Sequence, residues 1–349
     1  MTNSSSPSVS VVILGHNSGP SLQGCLSSVL RSGYPNFEVI LVDNGSTDDS
    51  IDLIRKEFGD RPELKVIDSK INLGASGGRN VGATFARGKY LAFLDSDTQV
   101  DTNWLAAAVA TLETTSTIGA LQCKLMLMPD LNKLDYLGDF LSQFGFLVQR
   151  TPMGMRDSDI SRKSARVFAA KSAGMVIKRQ LFETVGRFDE DFFIYMEETD
   201  LCWRIWLSGY EILYEPRSIV YHLVPSPSKL LARDTKFLAK YHGTKNYVTT
   251  ILKDAGGVSL VKIIPLHIFC WIGIGLWHFG RGRLREGVWI FRGLIYNLLN
   301  FKAIWGKRLT TQHVVRRVED TTIMPHIMVR ISPMYLYRKL TEPGSGWRV

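Results

Sequence analysis

The chain begins with short apolar runs alternating with polar loops. Val9-Ser-Val-Val-Ile-Leu14 is a β-branched run that stops at Gly15-His-Asn-Ser-Gly-Pro20, a turn-rich loop. Leu22, Leu26, Val29 and Leu30 then recur at helical spacing. Phe37 to Val42 predicts a second strand, broken at Asp43-Asn-Gly-Ser-Thr-Asp48, and Ser50 to Phe58 a second helix. Leu64 to Ile67 predicts a third strand, and Asn72 to Gly82 a glycine-rich loop opening a helix. Tyr90-Leu-Ala-Phe-Leu94 has no charge and reads as a buried inner strand. Strand, loop and helix repeating about every 30 residues predict an α/β fold, a mostly parallel sheet flanked by helices with right-handed crossovers. Ligands of such sheets sit beyond the carboxyl ends of the strands. The loops at those ends carry Asn17, Asp43, Arg79, Asp95 and Asp97, so that edge predicts a binding site.

Asp95-Ser96-Asp97 follows the inner strand directly. Two carboxylates one residue apart repel each other and are costly to desolvate unless a cation sits between them. The same residues also suit a helix start, with Asp97 or Thr98 as the cap and Trp104 inside the helix. Taken alone, the stretch leaves both open. A nicotinamide-binding domain needs G-x-G-x-x-G directly after its first strand, and residues 15–20 lack it. No Gly-Lys-Ser/Thr of a P-loop occurs in the chain.

The last third changes character. Residues 1–224 carry 22 Lys/Arg against 27 Asp/Glu, a net of −5, whereas residues 225–349 carry 20 against 6, a net of +14. That asymmetry predicts an anionic partner for the tail. Its apolar runs favour a membrane surface over nucleic acid. Ile263 to Phe279 has no Lys, Arg, Asp or Glu, at the lower limit for a span, and Gly287 to Trp305 is a second apolar stretch interrupted by Arg292, Asn297, Asn300 and Lys302. Either a single span or a two-helix hairpin puts arginines on the wrong side of the membrane. An interfacial arrangement, apolar faces among the headgroups and arginines against anionic lipid, fits better. The plainer alternative is a helical subdomain forming a homodimer interface. Four well-separated cysteines, Cys25, Cys123, Cys202 and Cys270, suit a reducing compartment, and the polar, uncharged N-terminus does not read as a secretion signal.

In order and spacing, Val9 to Asn17, Val42 to Asp48, Asn72 to Gly82 and Phe93-Leu-Asp-Ser-Asp97 resemble the nucleotide-sugar half of family 2 glycosyltransferases, enzymes of the GT-A fold. Ala173-Gly174, Gly186 to Tyr195, Glu197 to Arg204 and Ile219-Val-Tyr-His222 resemble the acceptor half of the rhamnosyltransferase-like branch. The resemblance covers residues 9–224, with 9–110 as the nucleotide-sugar half and 111–224 as the acceptor half. Residues 1–8 read as a disordered N-terminus and 225–349 as a basic, apolar helical region.

The resemblance implies a metal-dependent, inverting transfer of a hexose or deoxyhexose from a nucleotide sugar to a membrane-linked glycan or lipid-linked saccharide. The work would take place at the cytoplasmic face of the plasma membrane. Asn17, Asp43, Arg79, Asp95, Ser96 and Asp97 would bind the donor, with Asp43 and Arg79 at the base. Asp43 could equally make an Asx-turn, Arg79 could be a solvated helix-start residue, and Asn17 could simply satisfy its loop. Mn²⁺ or Mg²⁺ suits an oxygen-rich site of this kind. Asp97 would be its more direct ligand, Asp95 would lie nearer the ribose or a bound water, and His222 would approach the metal or diphosphate. An isolated His after an apolar strand is otherwise a hydrogen-bonded structural residue.

Glu198 falls where the family more often has Asp, and would be the base that deprotonates the acceptor hydroxyl, with Asp200 or Glu197 in reserve. The same three acids would also stabilise a helix N-terminus. Trp203 and Trp206 read as core. The polar loop 151–165 is a candidate lid or an inert surface excursion. The alternatives are a non-catalytic sugar- or lipid-binding scaffold on the same fold, and a soluble nucleotidyltransferase on a related sheet.

Overall fold

β1 (Val9–Gly15), β2 (Phe37–Asp43), β3 (Leu64–Asp68) and β4 (Tyr90–Asp95) alternate with α1 (Gly19–Leu30), α2 (Ser50–Phe58) and α3 (Gly74–Phe85). The apolar runs of β1, β2 and β4 become strands because both sides of each are covered, while β3 forms the half-exposed edge of the sheet. The computed structural model describes residues 7–223 and 235–341. Most of the predicted N-terminal disorder and the first residues of the basic tail lie outside the described residues.

Side chains on β1 alternate between two cores. Val11 and Ile13 meet Leu22, Leu26 and Ile54 on one face, while Val12 joins Ala83, Phe93 and Trp203 on the other. Glycines bring α3 unusually close to the sheet. A Cβ on Gly82 would stand 2.4 Å from Val12 Cγ1, and one on Gly78 2.4 Å from Leu14 Cδ1. β1 pairs in parallel with β2 and β4, so Asp43 sits beside Gly15 and Asp95 beside Leu14. The carboxyl ends therefore line up in one row.

The second half departs from the parallel expectation. It contains β5 (Thr98–Val100), α4 (Trp104–Thr114), β6 (Ile118–Leu127), β7 (Leu134–Tyr136), β8 (Asp139–Ser142) and β9 (Leu147–Gln149). β10 (Ala165–Arg166), β11 (Met175–Lys178), α5 (Arg179–Thr184), α6 (Glu197–Leu207) and β12 (Glu211–His222) follow. The main sheet runs β10-β12-β6-β11-β4-β1-β2-β3, with β5 beside β12 and β7 beside β6. β11 lies antiparallel between β4 and β6, and β5, β7 and β10 also pair antiparallel, so the sheet is mixed.

The tail forms α7 (Thr235–Asp254), α8 (Gly257–Gly280), α9 (Leu284–Leu299), α10 (Phe301–Thr310), α11 (Asp320–Ile327), β13 (Met328–Val329) and α12 (Pro333–Thr341). It shares a core with the sheet. Ile251, Ala255, Ile263, Val315, Ile323 and Ile327 belong to the same apolar cluster as Phe93, Leu201 and Trp203. β13 completes a small sheet with β8 and β9. The sequence division near residue 224 is thus a change of composition and not a break in the core.

Among the described residues, one helix, α8, is long and apolar enough to cross a membrane, and only 22% of its most apolar window is buried. Ile263, His267, Trp271 and Ile274 face inward, while Val258, Val261, Phe269 and Leu276 are exposed. Halfway along, His267 Nδ1 lies 2.8 Å from the Phe144 carbonyl.

Candidate active site

The row of strand ends opens into a cleft of about 360 Å³, with Asp95, His222, Arg79, Glu197 and Glu198 among its walls. The pairing of β5 with β12 builds its first corner. Thr98 does not start a helix; it enters β5, opposite His222, and α4 begins only at Trp104 after Asn103. The helix-cap alternative for Asp97 and Thr98 fails for this reason. The ladder carries His222 across a long sequence gap to stand 3.4 Å, Nε2 to Oδ1, from Asp97. One ligand atom each from Asp95, Asp97 and His222 lies within 4.8 Å of the others.

His222 is oriented from behind. Its Nδ1 lies 2.8 Å from Asp135 Oδ2, which leaves Nε2 facing the two aspartates. Burial would lower the imidazole pKa, but hydrogen bonds to Asp135 and Asp97 prevail and raise it to about 10. The donor set, two hard carboxylates and one imidazole that a further carboxylate orients from behind, fits a divalent metal ion. Ser96 hydrogen-bonds Ser18 at 2.8 Å, tying this turn to the loop after β1.

Arg79 is not a solvated helix-start residue. It is buried within α3, and its guanidinium joins the two halves of the chain: Nη2 donates to Asp95 at 2.6 Å and Nη1 to Glu197 at 3.0 Å. Burial opposes its charge, but Asp95 and the two glutamates outweigh that and raise its pKa. For Glu197, burial first and the neighbouring Glu198 second push the carboxyl above its usual range. Its Oε1 is held by the Arg79 guanidinium.

Glu198 occupies a different setting. It is half-buried on the cleft wall, with Oε1 accepting hydrogen bonds from Ser172 Oγ at 2.7 Å and Ser172 N at 3.2 Å. Asp200 is fully buried below the cleft. Arg204 donates to its Oδ2 at 2.6 Å, and Lys253 holds its Oδ1 at 2.6 Å. The geometry separates the three acids of the α6 start: Glu198 on the wall, Glu197 bound to Arg79, Asp200 in an ion-pair core.

Asp43, the last residue of β2, and Asn17, in the loop after β1, are not among the residues that line the cleft. Asp43 Oδ1 accepts from Ser46 N, three residues on, at 2.9 Å, so it braces its own loop without the two-residue span of an Asx-turn, and Asn17 Oδ1 accepts from Thr47 N at 2.8 Å. Asn17 thus braces its neighbouring loop. The lid candidate is anchored: Asp157 pairs with Lys124 at 2.7 Å, and Arg150 holds the carbonyls of Ile160 and Lys163. Only Met153 of that loop reaches the cleft wall.

Sequence reasoning missed Asp135 and Asp139, both buried at the cleft, and Ser172. Two aspartates inside the otherwise apolar Leu134-Asp-Tyr-Leu-Gly-Asp-Phe-Leu141 were an available signal, because buried carboxylates need a partner.

Comparison with known proteins agrees with this architecture. The model for glycosyl transferase family group 2 matches residues 90–329, and that for glycosyl transferase family 2 matches residues 10–125. The chain belongs to the family 2 glycosyltransferases. Poly-beta-1,6-N-acetyl-D-glucosamine synthase of Staphylococcus epidermidis is 28% identical over 222 residues, covering 62% of this chain and 50% of that protein. The chain therefore spans about half the length of that curated relative.

Two solved structures share the GT-A fold. GalNAc-T7 with UDP, GalNAc and Mn²⁺ has a TM-score of 0.57 at 22% identity, over 72% of this chain and 48% of that one. The mannosyltransferase PcManGT of Pyrobaculum calidifontis, in complex with GDP-Man and Mn²⁺, has a TM-score of 0.54 at 17% identity, over 88% and 87%. The family matches do not single out a branch of this glycosyltransferase family.

Proposed function

We propose that this glycosyltransferase moves a hexose or deoxyhexose from a nucleotide sugar to a glycan or lipid-linked saccharide held at the cytoplasmic face of a membrane. The observation that carries the reading is the placement of Glu198 on the same cleft as Asp95 and His222. A scaffold that only binds sugar has no need of a carboxylate opposite such a cluster.

The reaction is a single displacement. The acceptor hydroxyl attacks the anomeric carbon and gives its proton to Glu198, while the bond from that carbon to the diphosphate oxygen breaks, with inversion. Ser172 fixes the Glu198 carboxylate, and Arg79 keeps Asp95 and Glu197 from repelling each other. Asp135 holds His222 in the tautomer that presents Nε2. A Mn²⁺ or Mg²⁺ ion held by Asp95, Asp97 and His222 would neutralise charge on the leaving diphosphate.

The contact from His267 at mid-helix to Phe144 supports an α8 that lies along the membrane surface, since a span would draw the catalytic domain into the bilayer. Its exposed apolar face and the nearby Arg281, Arg283 and Arg285 suit headgroups of an anionic leaflet.

The test is to incubate the protein with Mn²⁺, a panel of nucleotide sugars and a lipid extract, and follow nucleoside diphosphate release. The reading expects release that depends on one donor and on the extract. No release with any donor would remove the enzyme reading.

A further inference from the structure

The turn that delivers Glu197 and Glu198 is held in an unfavourable conformation. Phe193, Tyr195 and Met196 all have positive φ, at 63°, 68° and 69°. Three non-glycine residues in that region so close together persist only when their surroundings impose it.

Two groups impose it here. From the donor side, Ala75 N and Ser76 N at the start of α3 donate to the Phe193 carbonyl, at 2.5 and 3.3 Å. Gly74 permits the approach: its φ is +71°, and a Cβ there would stand 2.3 Å from that same oxygen. From the tail, the Asn246 side chain on α7 reaches in. Its Nδ2 donates to the carbonyls of Phe192 at 3.0 Å, Ile194 at 2.9 Å and Tyr195 at 2.7 Å. Asn246 is fully buried, and its Oδ1 meets no donor among the described residues. The carbonyls alone therefore set the orientation of the amide, since only a donor can serve them.

We infer that Asn246 is a positioning residue for transfer, clamping the left-handed turn 193–196 so that Glu198 faces the cleft. This rests on the reading of Glu198 as base. It makes the C-terminal helical region part of the catalytic centre and not only a membrane-facing appendage. Tyr247, the next residue of α7, lines the cleft itself. Lys245, the residue before, donates to the Asp191 carbonyl at the other end of the same segment. Three consecutive residues of one helix thus engage the segment or the cleft. The two N–H groups of the Asn246 amide are shared among two carbonyls of the strained turn and that of Phe192 just before it, more than attachment of α7 to the domain requires.

The clamp is tested with Asn246→Asp, which keeps size but turns donors into acceptors, and with Asn246→Ala, in the full chain. Transfer is measured with Mn²⁺ and the best donor from UDP-GlcNAc, UDP-glucose, UDP-galactose and GDP-mannose, and UDP or GDP binding by calorimetry. Hydrogen exchange is followed over residues 192–198, and Glu198→Gln is run in parallel. The expected result is a fall in kcat of about 100-fold or more, the scale set by small misplacements of a reacting group. Nucleotide affinity should stay within about threefold, Tm should fall because buried carbonyls lose their donor, more in the Asp variant than in the Ala variant, and exchange should rise first over 192–198.

Unchanged kcat and exchange in both variants would overturn the inference while leaving Glu198 as base. Parallel losses of nucleotide binding and Tm would also overturn it, in favour of a purely structural role. Full activity in Glu198→Gln would sink the base and the clamp together. If no donor turns over, exchange at 192–198 still decides whether Asn246 holds the turn.

Discussion

Arg79 and His222 show how far single residues depend on partners remote in sequence. Arg79 neutralises Asp95 and Glu197 at once, and only its planar fork reaches both. Arg79→Met should leave two crowded carboxylates unpaired, at a cost of about 3–5 kcal/mol in urea unfolding, with donor binding lost. A loss below about 1 kcal/mol would show that the bridge is incidental. For His222, the raised pKa has a definite sign. Its contacts with Asp97 and Asp135 favour folding fully below about 6.5 and lose that effect as pH rises through about 10. A metal needs the neutral ring, so it must displace the proton. Apparent Mn²⁺ affinity in calorimetry should therefore rise about tenfold per pH unit in the neutral range. Asp135→Asn should weaken Mn²⁺ binding about 10–100-fold. A pH-independent affinity would contradict the role of His222.

At the scale of elements, much of the first half was legible in the sequence. Runs bounded by turn-formers gave β1 to β4, and the Ser50 to Phe58 helix has the same ends in the structure. Local pattern sufficed because β1, β2 and β3 are each followed by their own helix. The Thr98 strand was not legible, since three residues acquire strand geometry only through pairing with β12. Nor was the setting of the α6 acids, which depends on Arg79, Ser172 and Lys253, all distant in sequence. The glycines of α3 were visible as a loop signal, but their work is close packing. Gly82→Ala should force Val12 and Val42 apart, at about 1–3 kcal/mol, read as a lowered Tm. An unchanged Tm would mean that α3 can shift outward without loss.

At the scale of the whole molecule, the charge asymmetry has an internal use that the sequence did not suggest. Part of the tail's positive charge is internal. Lys253 and Lys307 pair with Asp189, Lys307 also with Asp191, and Lys253 with Asp200 beneath the cleft. The arginines between α8 and α9 and the exposed apolar face of α8 are the outward part. Vesicles containing anionic lipid should bind the protein more tightly than neutral ones, less so as salt rises, and alkaline carbonate should release it from membranes. Phe269→Asp together with Val261→Asp should abolish vesicle binding without lowering Tm. Resistance to carbonate would instead favour a span.

The central claim is that one cleft brings a donor-binding cluster and a base together, and Glu198→Gln tests it most directly. Transfer and nucleotide binding should be measured on this variant beside Asp97→Asn. The account predicts that Glu198→Gln binds nucleotide as the parent does and loses transfer by about 100-fold or more, the scale of general-base catalysis, while Asp97→Asn loses binding. Transfer at the parent rate in Glu198→Gln would contradict it.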